Sequence, residues 1–436
     1  MSEWRVKPLG TVVSQITDKV SFGKDPTRPY VGLEHIPSDG ASLLGAGKAD
    51  DSISTNNVFR GGDVLFGKLR PRLRKCVRVN FDGYCSTDVL VLRACEDVDA
   101  VFASMLLSSA AVFTEAIRTE EGTKMPRCSW RSLRNLELPC PDANEQRRIA
   151  TILTTLDEVI KATEKLVEKH QQIKAGLMHD LFTRGLWTRT ELARGDHKGT
   201  PAEASAQEGQ LRPAPGEAPG LYQESPLGLI PKAWKVKNCS QICEKITVGI
   251  VIRPTQYYVP ESGVPAFRSA NIKETGIDLN DLVFISDFSN SLLAKSQVKA
   301  GDVLSVRTGY PGTSAVVPEE LEGCNCIDIL ISRPTSEIAS QFLCDWINSS
   351  FGRGQVLRKQ GGLAQQHFNV GDLRNLQVVI PSDTEQAEIG LRLASATENI
   401  ATENTHLTKL RQQKQGLMHD LLTGRVRVDT AFAQNP

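Results

Sequence analysis

One long stretch of this chain occurs twice. LRNLELPCPDANEQRRIATIL begins at Leu133, and LRNLQVVIPSDTEQAEIGLRL begins at Leu373. The copies align without a gap through Thr183 and Thr423, and both contain GLMHDL, at residues 176–181 and 416–421. A period this long is no solenoid unit; one domain-sized module has been used twice. Such a chain is expected to present two similar surfaces with pseudo-twofold symmetry.

The duplication extends towards the N-terminus. GGDVLFGKLRP at residues 61–71 matches AGDVLSVRTGY at 300–310, and STDVLVLR at 86–93 matches CIDILISR at 326–333. Trp4-Arg5-Val6-Lys7 is echoed by Trp234-Lys235-Val236-Lys237. Between these landmarks the halves differ greatly, as in recognition modules that keep a frame and vary their loops. The runs DVLVLR and DILISR predict strands, with turns at Gly61-Gly62, Asp82-Gly83 and residues 309–312. VFASMLLSSAAVFTEAIR and SQFLCDWINS predict buried helices. Each module then forms a small mixed α/β globule.

Each module ends in a long helix. Asp142-x-x-Glu145 and Ser382-x-x-Glu385 have capping-box spacing, which predicts that each Glu reaches back to its cap. The apolar positions that follow keep a 4-3 heptad spacing. They are Ile149, Leu153, Leu156, Ile160, Val167, Leu177 and Leu181 in the first copy, interrupted by polar Thr163, His170 and Lys174. In the second copy they are Ile389, Leu393, Ala396, Ile400, Leu407, Leu410, Leu417 and Leu421. About five heptads of seam predict a coiled coil, and the natural partner of each helix is the other copy. Gly185 and Gly424 sit where a terminating glycine belongs. Between the copies, residues 195–220 are rich in Pro, Ala, Gly and Glu and read as a flexible tether that lets the second helix run antiparallel to the first.

The expected architecture is α+β, with two tandem mixed α/β domains, each followed by a long helix, and the helices paired as an antiparallel coiled coil. The expected divisions are 1–141, first recognition domain; 142–184, first spacer helix; 185–227, flexible linker; 228–381, second recognition domain; 382–424, second spacer helix; and 425–436, tail. An apolar fraction of 40% with 23% charged residues fits a globular chain. The start, MSEWRVKPLG, lacks the pattern of a signal peptide, and no apolar run reaches membrane-spanning length. Ten scattered cysteines predict free thiols and a cytoplasmic setting.

The sequence carries none of the common catalytic signatures. There is no phosphate-binding GxxxxGK[ST], and GASLLGAGKA fails in spacing and final residue. No GxSxG occurs, and DPTRPY lacks the adjacent prolines of an amino-methyltransferase motif. Cys239 and Cys243, with Cys324 and Cys326, have no counterparts in the first module and read as buried thiols, not zinc ligands. His179 and His419 are adjacent to acidic residues on a helix, where neighbours do not face one another. They read better as partner contacts, together with Gly176, Leu177, Gly416 and Leu417.

Net charge is zero, so DNA binding would require clustered cations. GKLRPRLRKCVR supplies Lys68, Arg70, Arg72 and Arg74, and on an extended strand the three arginines would share a face. Arginine reads guanine bidentately and neutralises phosphate. In the second half the equivalent place holds Arg307 and Thr308. A second polar cluster precedes each LRNL, with Lys124 and Arg127 in one module and Gln365, Gln366 and His367 in the other.

These landmarks, in this order and duplicated, resemble the specificity subunit of a type I restriction–modification system. The resemblance implies two target-recognition domains that read a split, asymmetric DNA site across a gap set by the helices. It also implies two partner modification subunits that carry S-adenosylmethionine and methylate adenine, and restriction subunits that use ATP and Mg. This chain would then be non-catalytic and need no cofactor of its own. The competing expectation is a coiled-coil scaffold, or a stand-alone DNA-binding protein without an active restriction partner.

Overall fold

The computed structural model describes residues 4–21, 25–39, 42–51, 54–193, 207–358 and 367–428. The chain divides into two compact units, residues 1–165 with 405–436 and residues 166–404. Both units are built on the same plan, as the repeat predicts.

In the first unit, a four-stranded antiparallel sheet has the order Val13–Ile16, Val89–Ala94, Val64–Gly67, Cys76–Arg78. In the second, the order is Cys243–Val248, Ile329–Pro334, Val303–Val306, Ser314–Val316. The DVLVLR and DILISR strands are central, so their first four residues are buried on both faces. That is why both read as nearly continuous apolar runs. A second sheet lies in each unit and contains a parallel pair, Tyr30 opposite Tyr84 in one and Ala266 opposite Asn325 in the other. An N-terminal strand closes each unit onto the strand before the long helix: Arg5–Pro8 on Glu137–Cys140, and Lys235–Asn238 on Gln377–Ile380.

One of the two apolar helical stretches breaks. VFASMLLSSAAVFTEAIR forms Ala100–Leu107 and Ala110–Arg118, with Asp99 capping the first through Val101 and Phe102 N–H and Ser109 capping the second. The serines compete for backbone bonds and re-start the helix instead of continuing it. SQFLCDWINS forms one buried helix, Ser340–Asn348, as expected, and a further helix, Ser350–Arg358, follows it. No single helix among the described residues is long and apolar enough to cross a membrane.

Asp345, on the helix Ser340–Asn348, is 6% exposed; Gln341 donates to its Oδ1, and its Oδ2 has no hydrogen-bond partner. Burial pushes its carboxyl up to about 6, against the opposing effects of Gln341 and Lys174. The folded state thus holds this proton more tightly than the unfolded chain. The resulting stability is present below the unfolded value and lost as pH rises towards 6. Asp345→Asn should match the native protein near pH 4 and exceed it by about 2–3 kcal/mol above pH 6. Urea unfolding at both pH values checks this, and a pH-independent difference would refute it.

The long helices span Ala143–Thr183 and Asp383–Leu422. In the first unit they run antiparallel: Asp157 pairs with Lys414 at 2.5 Å and Glu164 with Arg411 at 2.7 Å, and Ile160 packs with Leu407 and Leu410. In the second unit Met178, Leu181 and Phe182 share a core with Ile389 and Leu393. The polar interruptions do not break the seam. Thr163 is buried, with its hydroxyl bonded to the Val159 carbonyl of its own helix. Leu417 is a correction: it is 37% exposed, and Met418 packs inward instead. The same shift occurs in the first copy, where Met178 is more buried than Leu177.

The capping-box expectation also needs correcting. Asp142 does accept the Asn144 and Glu145 N–H groups, each at 3.0 Å. Glu145 does not reach back. It accepts from the Trp4 indole at 2.8 Å and from the Arg427 guanidinium twice at 2.9 Å. Burial raises its carboxyl, but these donors outweigh burial and hold it below the ordinary carboxylate range. The stabilisation this gives is complete above the unfolded value and is lost as pH falls through the lowered one. Glu385 does the equivalent in the second unit, accepting from the Trp234 indole at 2.9 Å, Arg212 Nη1 at 2.7 Å and Leu186 N–H at 2.7 Å. A buried carboxylate is better satisfied by an indole and a guanidinium than by one backbone amide. Each helix start is thereby locked to the opening tryptophan of its own module.

The linker expectation of 185–227 is corrected over its described part. Residues 187 and 209–210 exchange backbone hydrogen bonds, Arg189–Ala193 is helical, and Tyr222–Ser225 pairs with Gly228–Pro231. Arg212, 1% exposed, anchors this stretch between Glu191 and Glu385. One buried arginine outweighs a composition that otherwise has little to bury. Gly185, at φ 62°, ends the first helix, and a Cβ there would lie within 2.4 Å of Arg212, Glu385 and Trp234.

Candidate nucleic-acid interface

The first basic run begins where the strand Val64–Gly67 ends. It does not stay extended. Arg70 and Arg74 adopt left-handed backbone, with φ 51° and 48°, and Pro71–Leu73 form a 3-10 turn between them. Buried Pro71 fixes this turn, so Arg70, Arg72 and Arg74 do not share a strand face. Arg74 turns back to pair with Asp39 and lies 4.9 Å over the Phe113 ring. Arg72 reaches Glu120 at 3.0 Å while its side chain stays 70% exposed. Arg70 and Lys124 are exposed.

The fold brings the two clusters of the first half together. Lys68 N–H donates to the Asp88 carbonyl and Cys128 N–H to the Lys68 carbonyl, each at 3.0 Å, and Arg70 N–H donates to the Pro126 carbonyl at 2.7 Å. Arg127 grips the Asp88 carboxylate through Nε at 2.8 Å and Nη2 at 3.1 Å. The Arg127 hydrogen bonds, outweighing burial, hold the Asp88 carboxyl below its usual range.

In the second half the same scaffold carries different chemistry. Phe368 N–H donates to the Arg307 carbonyl at 3.0 Å, in the place of the Cys128 bond. Arg307 itself pairs with Asp328, the counterpart of Asp88. His367 takes the position of Arg127 and is exposed. Thr308 is half-buried at the start of the turn. Gln365 and Gln366 lie outside the described residues. An aspartate thus anchors an arginine in both halves, but the arginine comes from a different element in each.

Two deeper ion pairs support these surfaces. Arg93 binds Asp63 at 2.6 and 2.8 Å, and Arg333 binds Asp302 twice at 2.7 Å, with both aspartates essentially inaccessible. The repeat signals GDVL and VLVLR or ILISR already held these partners, but the pairing was not legible without the strand register. Asp88 and Asp328 were likewise missed, although STDVL and CIDIL place them at equivalent positions.

Of the expected partner contacts on the helices, Gly176, Gly416, Leu417, His179 and His419 are exposed, and Leu177 is half-buried. His179 stacks on Phe351 at 5.6 Å, which itself stacks on Trp346. No group of three or more potential metal ligands occurs among the described residues. The ten cysteines are free, and burial pushes Cys76 and Cys243 up to about 12, as befits core thiols.

Residues 1–175 match the family model of the type I restriction modification DNA specificity domain. The MjaVIII specificity subunit of Methanocaldococcus jannaschii is 23% identical over 98% of this chain and 93% of its own length. The EcoBI specificity subunit of Escherichia coli is also 23% identical, over 71% of this chain and 62% of its own. Among solved structures, the fold is shared with a chain from a type I restriction–modification system studied for complex assembly, with TM-score 0.55, 20% identity and coverage of 97% and 98%. It is also shared with the type I S subunit of M. genitalium, with TM-score 0.51, 13% identity and 96% coverage of both chains. Two tandem recognition modules with a paired helix after each define a DNA-specificity component and not a catalytic one. Residues 1–175 thus carry the type I restriction modification DNA specificity domain, and the chain over nearly its whole length is similar to type I restriction enzyme specificity subunits.

Proposed function

We propose that this chain reads a bipartite, asymmetric DNA site and directs partner adenine-methyltransferase and restriction subunits to it. The carrying observation is one scaffold with two different sets of side chains. Lys68, Arg70, Arg72 and Arg127 lie on one scaffold, and Arg307, Thr308 and His367 on the other. Different readers require different half-sites, so the whole site is not palindromic. The paired helices set the gap, because B-DNA turns once per about 34 Å and two readers on a rigid spacer fit only certain separations. S-adenosylmethionine, ATP and Mg are held by the partners, and the complex works in the cytoplasm.

The first long helix also supplies a docking face for two modification subunits. Ile152, Val159, Leu166 and Ile173 recur at heptad spacing and remain 37–53% exposed, outside the seam. An unburied apolar heptad row suits a partner helix.

The test is a single-molecule methylome of cells that express this chain with its neighbouring methyltransferase. A new adenine mark in a split, asymmetric motif is expected, and it supplies both half-sites at once. No mark, with both proteins folded and bound together, sinks the reading and favours a scaffold. Replacing Arg70 and Arg72 by glutamine should weaken binding of the mapped duplex about tenfold at 0.1 M salt and lower the salt slope by about one to two, without unfolding the protein. Unchanged affinity in folded protein would refute their role.

A further inference from the structure

The turn that carries Arg70 and Arg72 in the first unit carries Gly309 and Pro311 in the second, with an exposed Tyr310 between them. The strands Val303–Val306 and Ser314–Val316 are joined by a turn with Tyr310 at its tip, 82% exposed. In the aligned first module Tyr310 is replaced by buried Pro71, and Pro311 by exposed Arg72. The turn is stiff. Gly309 and Gly312 both have positive φ, near 88°, Gly312 N–H donates to the Val306 carbonyl, and Thr313 N–H donates to the Tyr310 carbonyl. A second loop approaches the same ion pair. Asp328, which holds Arg307, donates its N–H to the Ile250 carbonyl at 3.0 Å, and Ile250 N–H bonds Cys326 at 2.8 Å. Immediately beyond, Val251 is 48% and Ile252 79% exposed, before left-handed Arg253 and the turn at Pro254.

Single exposed apolar residues are ordinary. Here a phenol ring and a branched aliphatic chain lead off the two sides of one arginine–aspartate pair, the ring on a hydrogen-bonded turn and the aliphatic chain two residues beyond hydrogen-bonded Ile250. Holding them in place beforehand removes the ordering cost of a contact. Neither packs into the unit's core, so their placement serves something outside the unit.

We propose that the second unit reads its half-site through this apolar edge. The Tyr310 ring stacks on a base face at a deformable step, and Ile252 packs on a thymine methyl beside the Arg307 contact. The proposal rests on the DNA-reading function above. Base–aromatic stacking is nearly insensitive to salt, unlike phosphate contact. Thymine presents its methyl in the major groove, and pyrimidine–purine steps unstack most easily. The two half-sites are therefore held by different physics, charge in the first and apolar contact in the second.

The experiment uses the full chain with its methyltransferase partner and the duplex mapped by the methylome. Tyr310→Ala should weaken binding about tenfold with an unchanged salt slope, while Tyr310→Phe stays within about twofold. Uracil in place of thymine in the second half-site should weaken the native complex but not the Ile252→Ser complex, and uracil in the first half-site should spare this difference. Both residues are exposed, so the variants should unfold like the native chain. Native affinity in Tyr310→Ala, or a loss accompanied by a lower salt slope, overturns the inference. A native complex that writes no split mark defeats the DNA-reading function itself, which separates the two failures.

Discussion

Replacing Glu385 by alanine should destabilise the second unit by about 3–5 kcal/mol, because it strands a buried guanidinium. Arg212 is 1% exposed and keeps only Glu191 as a carboxylate partner once Glu385 is gone. The Trp234 indole and the Leu186 amide lose their acceptor at the same time. The equivalent change at Glu145 should cost less, about 1–2 kcal/mol. Its guanidinium partner, Arg427, is 33% exposed and can be hydrated. Urea unfolding of the full-length variants, followed by tryptophan fluorescence, measures both. Equal losses would show that burial of the arginine does not decide the effect. Glu385→Gln should fall between, since an amide oxygen still accepts from the indole but no longer neutralises Arg212.

Four residues inserted after Ile160 should change the gap in the DNA site and leave both half-sites as they are. Four helical residues add about 6 Å. Successive bases on one strand lie about 3.4 Å apart, so the gap should lengthen by about one or two base pairs. Ile160 packs between Leu407 and Leu410, and an insertion of roughly one turn lets the helices pair again one step along. Methylome mapping of the variant complex reads the outcome directly. A changed half-site sequence would mean that the helices take part in reading bases. An unchanged gap would mean that they do not set the spacing.

Much of this architecture was legible because the sequence carries it twice. The repeat positions at Asp63 and Asp302 become the same buried ion pairs, and the central strands read correctly from apolar runs. The helix seam survived its polar positions because Thr163 could bond within its own helix. What was not legible depends on distant partners. Glu145 and Glu385 have local capping spacing, but their side chains answer to tryptophans more than a hundred residues away. Arg70, Arg72 and Arg74 alternate as on a strand, yet Pro71 turns the backbone. Arg212 sits in a stretch that composition marks as a tether, and one buried charge orders its surroundings. Of the candidate readers, Lys68, Arg70 and Arg127 are brought together by backbone bonds to residues that sequence reasoning passed over.

The lock on Glu145 has a consequence for how the chain is strung. Trp4, near the start of the sequence, and Arg427, near its end, meet on one carboxylate. In the other unit the same three roles fall to Trp234, Glu385 and Arg212, with the arginine and tryptophan on one uninterrupted stretch. One unit thus gathers its tryptophan and arginine from far apart in the sequence, and the other from a single stretch of chain. A rearranged gene that joined residue 428 to residue 4 through a short spacer and began instead at residue 207 would keep every partner of both carboxylates.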